Sequence, residues 1–289
     1  MGIRFSPASP CLCRRASMMK ITFIGGGNMA AAMIGGMLTR GFAPADIQAV
    51  DVAPAARERL ATEFGIAAHA TADEAVGASD VVILAVKPQQ MAEVAKALRP
   101  YIGRQLVVTI AAGIRTADLS RWLGGYRNIV RAMPNTPALL RAGVAGLYAL
   151  SDVNESGRQS AQDILDAVGL TVWLDREEQL DAVTALSGSG PAYVFYFLEA
   201  MQEAGRAMGL PDAAGRTLSL QTLVGAARLA AESGESPETL RACVTSRGGT
   251  TERALTDMQS NNVKQHLIAA IFAAEARSRE LGDEFGKVA

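Results

Sequence analysis

From Lys20 onward, short apolar runs alternate with stretches of helical period, the form of a parallel sheet covered by helices on both faces. The runs predict strands at Lys20–Ile24, Ile47–Asp51, Val81–Val86, Leu106–Ile110 and Asn128–Ala132, with later ones at Val144–Ala149 and Thr171–Leu174. DVVILAV around Val81 does not alternate, and a run apolar on both faces belongs in the middle of such a sheet. Past about Glu177 strand signals stop. Apolar positions then recur every 3.6 residues or so, predicting helices over Pro191–Met208, Pro211–Glu232, Pro237–Cys243, Thr250–Gln259 and Asn262–Leu281. The pattern is that of an α/β chain: a doubly wound parallel sheet over residues 19–177 and an all-α domain over 178–289, with the boundary near Arg176 to Gln179. Residues 1–18, with Pro7, Pro10, Arg14 and Arg15, carry neither a fold period nor the apolar stretch of a secretion signal. They read as a disordered extension, or as an over-long start with the true beginning at Met18 or Met19.

Composition narrows the partners. The chain has 289 residues, 49% hydrophobic and 20% charged, and its 28 Lys+Arg against 29 Asp+Glu leave a net charge of −1. Enough apolar material for a core excludes charge-driven disorder, and no surplus of cations is available for phosphate backbones, so no nucleic acid is expected. Two distant histidines, His69 and His266, and three cysteines, Cys11, Cys13 and Cys243, make neither a metal-ligand set nor a disulfide framework; a reducing, cytoplasmic compartment fits. Ile21 to Thr39 contains no charge and is long enough to span a bilayer. Gly25-Gly26-Gly27-Asn28 would break such a helix near its start, whereas a strand, a tight turn and a buried helix account for the whole run, so no membrane segment is expected. Small residues on the C-terminal helices, as in Gly225-Ala226-Ala227 and Ala269-Ala270 with Ala273-Ala274, allow close helix approach and predict a homo-oligomer built from dimers, close packing within one chain being the alternative.

The chemistry begins where the strand KITFI enters Gly25-Gly26-Gly27-Asn28-Met29-Ala30, a G-x-G-x-x-A match followed by a helix. Gly25 permits the turn, Gly27 lets a pyrophosphate approach the backbone, and Ala30 keeps helix and strand close. Asp51 closes the second strand, 51 − 30 = 21 residues after Ala30, and completes the context of a Rossmann-type dinucleotide fold. A carboxylate there bonds the ribose hydroxyl of NAD and repels the extra phosphate of NADP. Arg57 and Arg59 either reach a phosphate or stay solvated, which leaves NADPH and NADH both open. Three further turns, Ala85-Val86-Lys87-Pro88-Gln89, Ala111-Ala112-Gly113 and Met133-Pro134-Asn135-Thr136-Pro137, follow strands and should line the same crevice, although each alone reads as an ordinary strand-to-helix turn. In the helical half, Ser187-Gly188-Ser189-Gly190-Pro191-Ala192 and Thr245-Ser246-Arg247-Gly248-Gly249-Thr250-Thr251 are polar loops, each opening a helix. Such a loop is a backbone anion receptor suited to a carboxylate, or else plain helix capping by threonine. Cys243, with no histidine near it in sequence, reads as a small buried packing residue.

Together the segments FIGGGNMA, AVKPQ, RAMPNTPA, SGSGPAY and VTSRGGTT resemble pyrroline-5-carboxylate reductase, and the resemblance runs from Lys20 to about Leu281. It implies reduction of 1-pyrroline-5-carboxylate to L-proline by NADPH or NADH, in a nicotinamide domain followed by a helical substrate and dimerisation domain, with the substrate pocket where the helical part meets the cofactor crevice. The resemblance places cofactor contacts on Gly25, Gly26, Gly27, Asn28, Met29, Ala85, Val86, Lys87, Pro88 and Asn135, to which the turns above add Asp51 and Ala112. It places the substrate carboxylate on Gly248, Gly249 and Thr250, and Thr251, as the catalytic residue, near the ring nitrogen. Ser189 joins the substrate set from the first polar loop. Arg247 stands where many members have proline, and Asp51 where small or amide residues are common. Two other readings remain open: a hydroxyacid dehydrogenase of similar build, for which the asparagines before Lys264 stand in the reverse of the usual order, and a non-catalytic nicotinamide-nucleotide sensor.

Overall fold

The computed structural model describes residues 19–287, so the expectations for residues 1–18 and for Cys11 and Cys13 lie outside the described part. Packing divides the described residues into two compact units, one of residues 190–272 and one of residues 19–189 together with 273–287.

The sheet unit runs β1 (Ile21–Ile24), α1 (Asn28–Thr39), β2 (Ile47–Val50), α2 (Pro54–Phe64), β3 (Ala67–His69), α3 (Glu74–Gly77), β4 (Val81–Leu84), α4 (Met91–Leu98), β5 (Leu106–Thr109), α5 (Thr116–Trp122), β6 (Ile129–Met133), β7 (Gly143–Ala149), α6 (Glu155–Asp166), β8 (Gly169–Trp173) and α7 (Gln179–Val183). The eight strands lie in the order β3-β2-β1-β4-β5-β6-β7-β8. Alternation along the central strands feeds two cores. Ile21, Phe23, Val81, Ile83 and Val108 join Met33, Ile34 and Met37 of α1 on one face. Ile24, Val82, Leu84 and Val107 join Met91, Leu98 and Trp122 on the other. Each of these buried aliphatic side chains contributes about 1.5–3 kcal/mol of transfer free energy.

The expected α/β architecture is therefore present, with two additions. β3 is missing from the sequence reading because Ala67-Ala68-His69 has no apolar run; backbone pairing with β2, Gln48 opposite Ala67 and Val50 opposite His69, makes it a strand. β7 runs antiparallel to β6. Only residues 134–142 join them, and these hold a single 3-10 turn, Thr136–Leu140, whereas a parallel return needs a crossover of a dozen residues or more.

The sheet unit reaches beyond residue 177 because α7 packs on the sheet: Val183 and Leu180 crowd the face of Gly146 on β7. Just before α7, the Glu177 carboxylate accepts the Thr116 amide at 2.7 Å, the Thr116 hydroxyl at 2.5 Å and the Arg131 guanidinium at 2.9 Å. Arg131 lies in mid-sheet and is only 4% exposed, so its charge is balanced inside the protein.

The other unit contains α8 (Gly190–Ala207), α9 (Asp212–Ser233), α10 (Pro237–Cys243), α11 (Thr250–Ser260) and the first part of α12 (Val263–Gly286). The last turns of α12 belong to the sheet unit: Phe285 packs on the second core and covers Gly113, Ser278 donates to buried Asp181 at 2.7 Å, and Asp283 pairs with Arg115 at 2.8 Å. Among the described residues of the helical unit, the buried positions are Gly205, Gly215 and Ser219, and no hydrophobic side chain is buried there. Phe195, Tyr196, Leu229, Leu267 and Phe272 are each half exposed or more. Cys243, expected to be buried, is exposed, because α10 has no buried residue at all. Among the described residues no helix is long and apolar enough to cross a membrane.

Candidate active site

The carboxyl ends of β1, β2, β3 and β4 are tied to one another by backbone hydrogen bonds. Gly25 donates to Val50 O at 2.8 Å, Ala85 to Ile24 O at 2.8 Å and Asp51 to His69 O at 3.0 Å. At the hub of this lattice Gly25 adopts φ +102°, a conformation side chains rarely tolerate, and a Cβ there would lie 2.7 Å from Ala85 O. The turn is thus as tight as the motif implies.

Gly27 follows as the N-cap of α1, with no side chain capping the helix and nothing within 4 Å of where its Cβ would be. The first-turn N–H groups of α1 and an open backbone face form a cradle that fits a pyrophosphate. Gly26 is glycine for a different reason: a Cβ would meet the Leu60 side chain at 2.8 Å. Ala30 is fully buried, as close helix–strand packing requires.

Asp51 acts here as a prop, a role hidden in sequence. Its Oδ2 accepts the Gly26 N–H at 2.6 Å and its Oδ1 the Ala53 N–H at 2.8 Å, so one carboxylate fastens both the glycine loop and the turn after β2. Arg57 donates to the carbonyls of Asp51 and Val52 at 2.8 and 2.9 Å. Arg59 donates to Gly26 O at 2.8 Å and to Asn28 Oδ1 at 3.2 Å. Both arginines therefore brace the loop.

A cavity of about 570 Å³ opens beside this loop and brings together Gly25, Gly27, Asp51, Ala85, Val86 and Lys87 of the expected residues. Ala70 to Ala72 also line it and were not anticipated, because they follow β3, the strand without an apolar run; Val94 on α4 and Tyr101 just after that helix line it as well. Asn28, Met29 and Pro88 adjoin the cavity residues in sequence but do not line it, and neither do Gly26, Ala112 and Asn135.

Asn135 is engaged elsewhere. Its Oδ1 accepts the Val144 N–H at 3.0 Å and its Nδ2 donates to Ser187 Oγ at 3.2 Å, which clamps the chain before α8. That chain is helical and not the open loop expected. Thr184–Gly188 form a π-helical turn in which the Ser189 N–H donates to Thr184 O at 2.8 Å, so this amide is not offered to an anion. Gly188 lies against Met133, whose terminal methyl would sit 2.5 Å from a Cβ there and would have to turn aside.

Within the helical unit, Gly248 takes φ +73° and Gly249 caps α11 without a side-chain hydrogen bond. The Gly248 N–H donates to Glu252 Oε2 at 2.7 Å and the Gly249 N–H to Ser246 O at 3.0 Å. Sequence had offered both as anion donors. The donors this fold leaves at the start of α11 are instead the first-turn amides of Thr250 and Thr251, with the Thr251 side chain partly buried beside them.

Comparison with known proteins accounts for both halves. The chain is 47% identical to the pyrroline-5-carboxylate reductase of Pseudomonas aeruginosa over 272 residues, which cover 94% of this chain and all of that one. The chain belongs to the pyrroline-5-carboxylate reductase family. The family description "Pyrroline-5-carboxylate reductase dimerisation" matches residues 177–281, and "NADP oxidoreductase coenzyme F420-dependent" matches residues 20–113. A solved pyrroline-5-carboxylate reductase from Coxiella burnetii superposes with a TM-score of 0.85 at 41% identity, covering 91% of this chain and 98% of the other. The Plasmodium falciparum pyrroline carboxylate reductase, solved with NADP bound, superposes at 0.82 with 26% identity over 92% of this chain and 99% of its own. The family resemblance drawn from five short segments thus extends over nearly the whole reductase.

Proposed function

We propose that the chain is a cytoplasmic enzyme that reduces 1-pyrroline-5-carboxylate to L-proline with NADPH or NADH, the last step of proline biosynthesis. The observation that carries this reading is the 47% identity spread over 94% of the chain, which includes the glycine loop and the VTSRGGTT segment alike. Such coverage leaves no support for the hydroxyacid dehydrogenase or sensor readings.

Reduced nicotinamide, when bound, supplies the hydride for the imine carbon. The chain's own residues bind and orient. Gly27, Asn28 and Met29 offer backbone to the pyrophosphate, with Gly25, Gly26, Asp51 and the Ala85-Val86-Lys87-Pro88 turn shaping the nucleotide side and Ala112 and Asn135 supporting it. On the substrate side, the carboxylate meets the first-turn amides of Thr250 and Thr251 at the α11 start, with Gly248 and Gly249 shaping the turn beneath it, Thr251 steadies the proton on the ring nitrogen through its hydroxyl, and the Ser189 hydroxyl completes the set. A cyclic imine protonates near neutral pH and is then already electrophilic, so no strong protein acid is required and the shortage of histidine is no obstacle. Holding the two reactants in contact can contribute roughly 7–11 kcal/mol in well-oriented systems. We assign the nucleotide to the sheet unit, residues 19–177 extended by α7 and the last turns of α12, and substrate and dimerisation to the helices from 190 to 272.

The direct test mixes the protein with synthetic cyclic imine and either reduced nucleotide, following nucleotide absorbance and proline formed. Equimolar loss and gain is the expected result, and an unchanged absorbance with both nucleotides would overturn the proposal. In the same assay Thr251→Ala lowers kcat/KM by about 1–3 kcal/mol, roughly 5- to 150-fold, with Thr251→Ser largely restoring it. A Thr251→Ala enzyme as fast as the natural one would remove this residue from the site.

Exposed apolar helices without any buried hydrophobic side chain are not stable in water by themselves, so the helical unit completes its core against a second copy. A homo-oligomer built from dimers is the expected state at micromolar concentration. Light scattering that returns the 30.3 kDa mass of one chain across that range would contradict it.

A further inference from the structure

We propose that Asp51 makes this chain select against a 2′-phosphate, so that it binds NADH in preference to NADPH. The inference rests on the dinucleotide reading of the cavity beside the glycine loop. It departs from what the NADP-named match and the NADP-bound relative would suggest.

The carboxylate cannot leave. It accepts the Gly26 N–H at 2.6 Å and the Ala53 N–H at 2.8 Å, and turning it away would strip the glycine loop and the post-β2 turn of their tie together. Arg57 and Arg59 flank the carboxylate, yet their hydrogen bonds run to the carbonyls of Asp51, Val52 and Gly26 and to Asn28, and neither guanidinium pairs with it. The next residue, Val52, lines the same cavity, is 84% exposed and has no donor to offer a phosphate. Lys87, the cation of the cavity lining, stands on the β4 side of it.

These facts distinguish the two nucleotides by elementary electrostatics. Each carboxylate oxygen has one lone pair taken by an amide and another open, so a ribose hydroxyl can donate to it. A 2′-phosphate can only accept at that position, and it would place two or nearly two negative charges against a fixed third. Because the prop and the discriminator are one side chain, the selectivity is built into the loop that holds the nucleotide.

The test titrates the intact protein with NADH and with NADPH, following nucleotide fluorescence to obtain each Kd, so that catalysis is not the readout. The expected result is NADH tighter by at least about tenfold, with Asp51→Asn narrowing that ratio by about tenfold through tighter NADPH binding. Asp51→Asn can keep one of the two amide ties, and a thermal melt checks that it folds. Val52→Arg leaves both ties in place and should narrow the ratio in the same way. Equal or tighter binding of NADPH by the natural chain overturns the inference while leaving the dinucleotide site intact, as does a ratio that neither variant moves. Binding of neither nucleotide would instead overturn the dinucleotide reading, and this inference with it.

Discussion

Gly25→Ala is expected to unfold in denaturant with about 2–6 kcal/mol less stability than the natural chain and to lose binding of either nucleotide. Two costs add. Holding alanine at φ +102° is worth about 1–3 kcal/mol of backbone strain, and relieving the overlap with a packed neighbour about 1–3 kcal/mol more. The overlap cannot be relieved by a side-chain rotation, since the three nearest atoms, at 2.7, 2.8 and 3.0 Å, are backbone atoms of Ala85 and Val86. Moving them breaks the Ala85–Ile24 hydrogen bond and with it the alignment of the strand ends around the cavity. Gly27→Ala is the control, because its Cβ would meet nothing within 4 Å. That variant should keep its stability to within about 0.5 kcal/mol and lose only nucleotide affinity. Equal stability losses at the two positions would contradict this account of the loop.

Glu177→Ala is expected to cost about 3–5 kcal/mol in the same unfolding experiment, since it leaves the Arg131 charge buried without a partner and deprives Thr116 of its acceptor. Arg131→Met in the Glu177→Ala background should recover part of the loss, because the stranded cation is then gone. A double-mutant cycle gives the coupling directly, and additive losses at this pair, only 2.9 Å apart, would mean that the ion pair contributes nothing. The effect falls on the segment leading into α7, well before the residues proposed to touch substrate.

Much of this was readable in the chain. Continuous apolar runs such as Val81–Leu84 mark central strands, because both sheet faces are covered and every position is buried. Helices in the C-terminal half declare themselves through prolines at their first turns and a glycine at their ends, as at Pro237 and Gly234. What escapes is decided by partners distant in sequence. Ala67–His69 becomes a strand only through β2, and the reversal of β7 follows from the length of a connection and not from any residue type. The π-turn before α8 looks like a loop because Ser187-Gly188-Ser189-Gly190 carries loop residues, while Asn135, far upstream, clamps it at Ser187. At the cavity, an acidic residue after the second strand is legible as a nucleotide contact, but its grip on the Gly26 and Ala53 amides is visible only once the two turns are folded together.

Phe285, Asp283 and Ser278, supplied to the sheet unit by the last turns of α12, have a consequence for how the protein is made. A ribosome delivers residues 19–189 long before these side chains emerge from its exit tunnel. Until they do, the nascent nucleotide half keeps Gly113 uncovered and Asp181 without its hydroxyl donor. Final consolidation of the N-terminal half therefore waits for residues made about a hundred positions later, and losing the last turns of α12 would be felt first in that half.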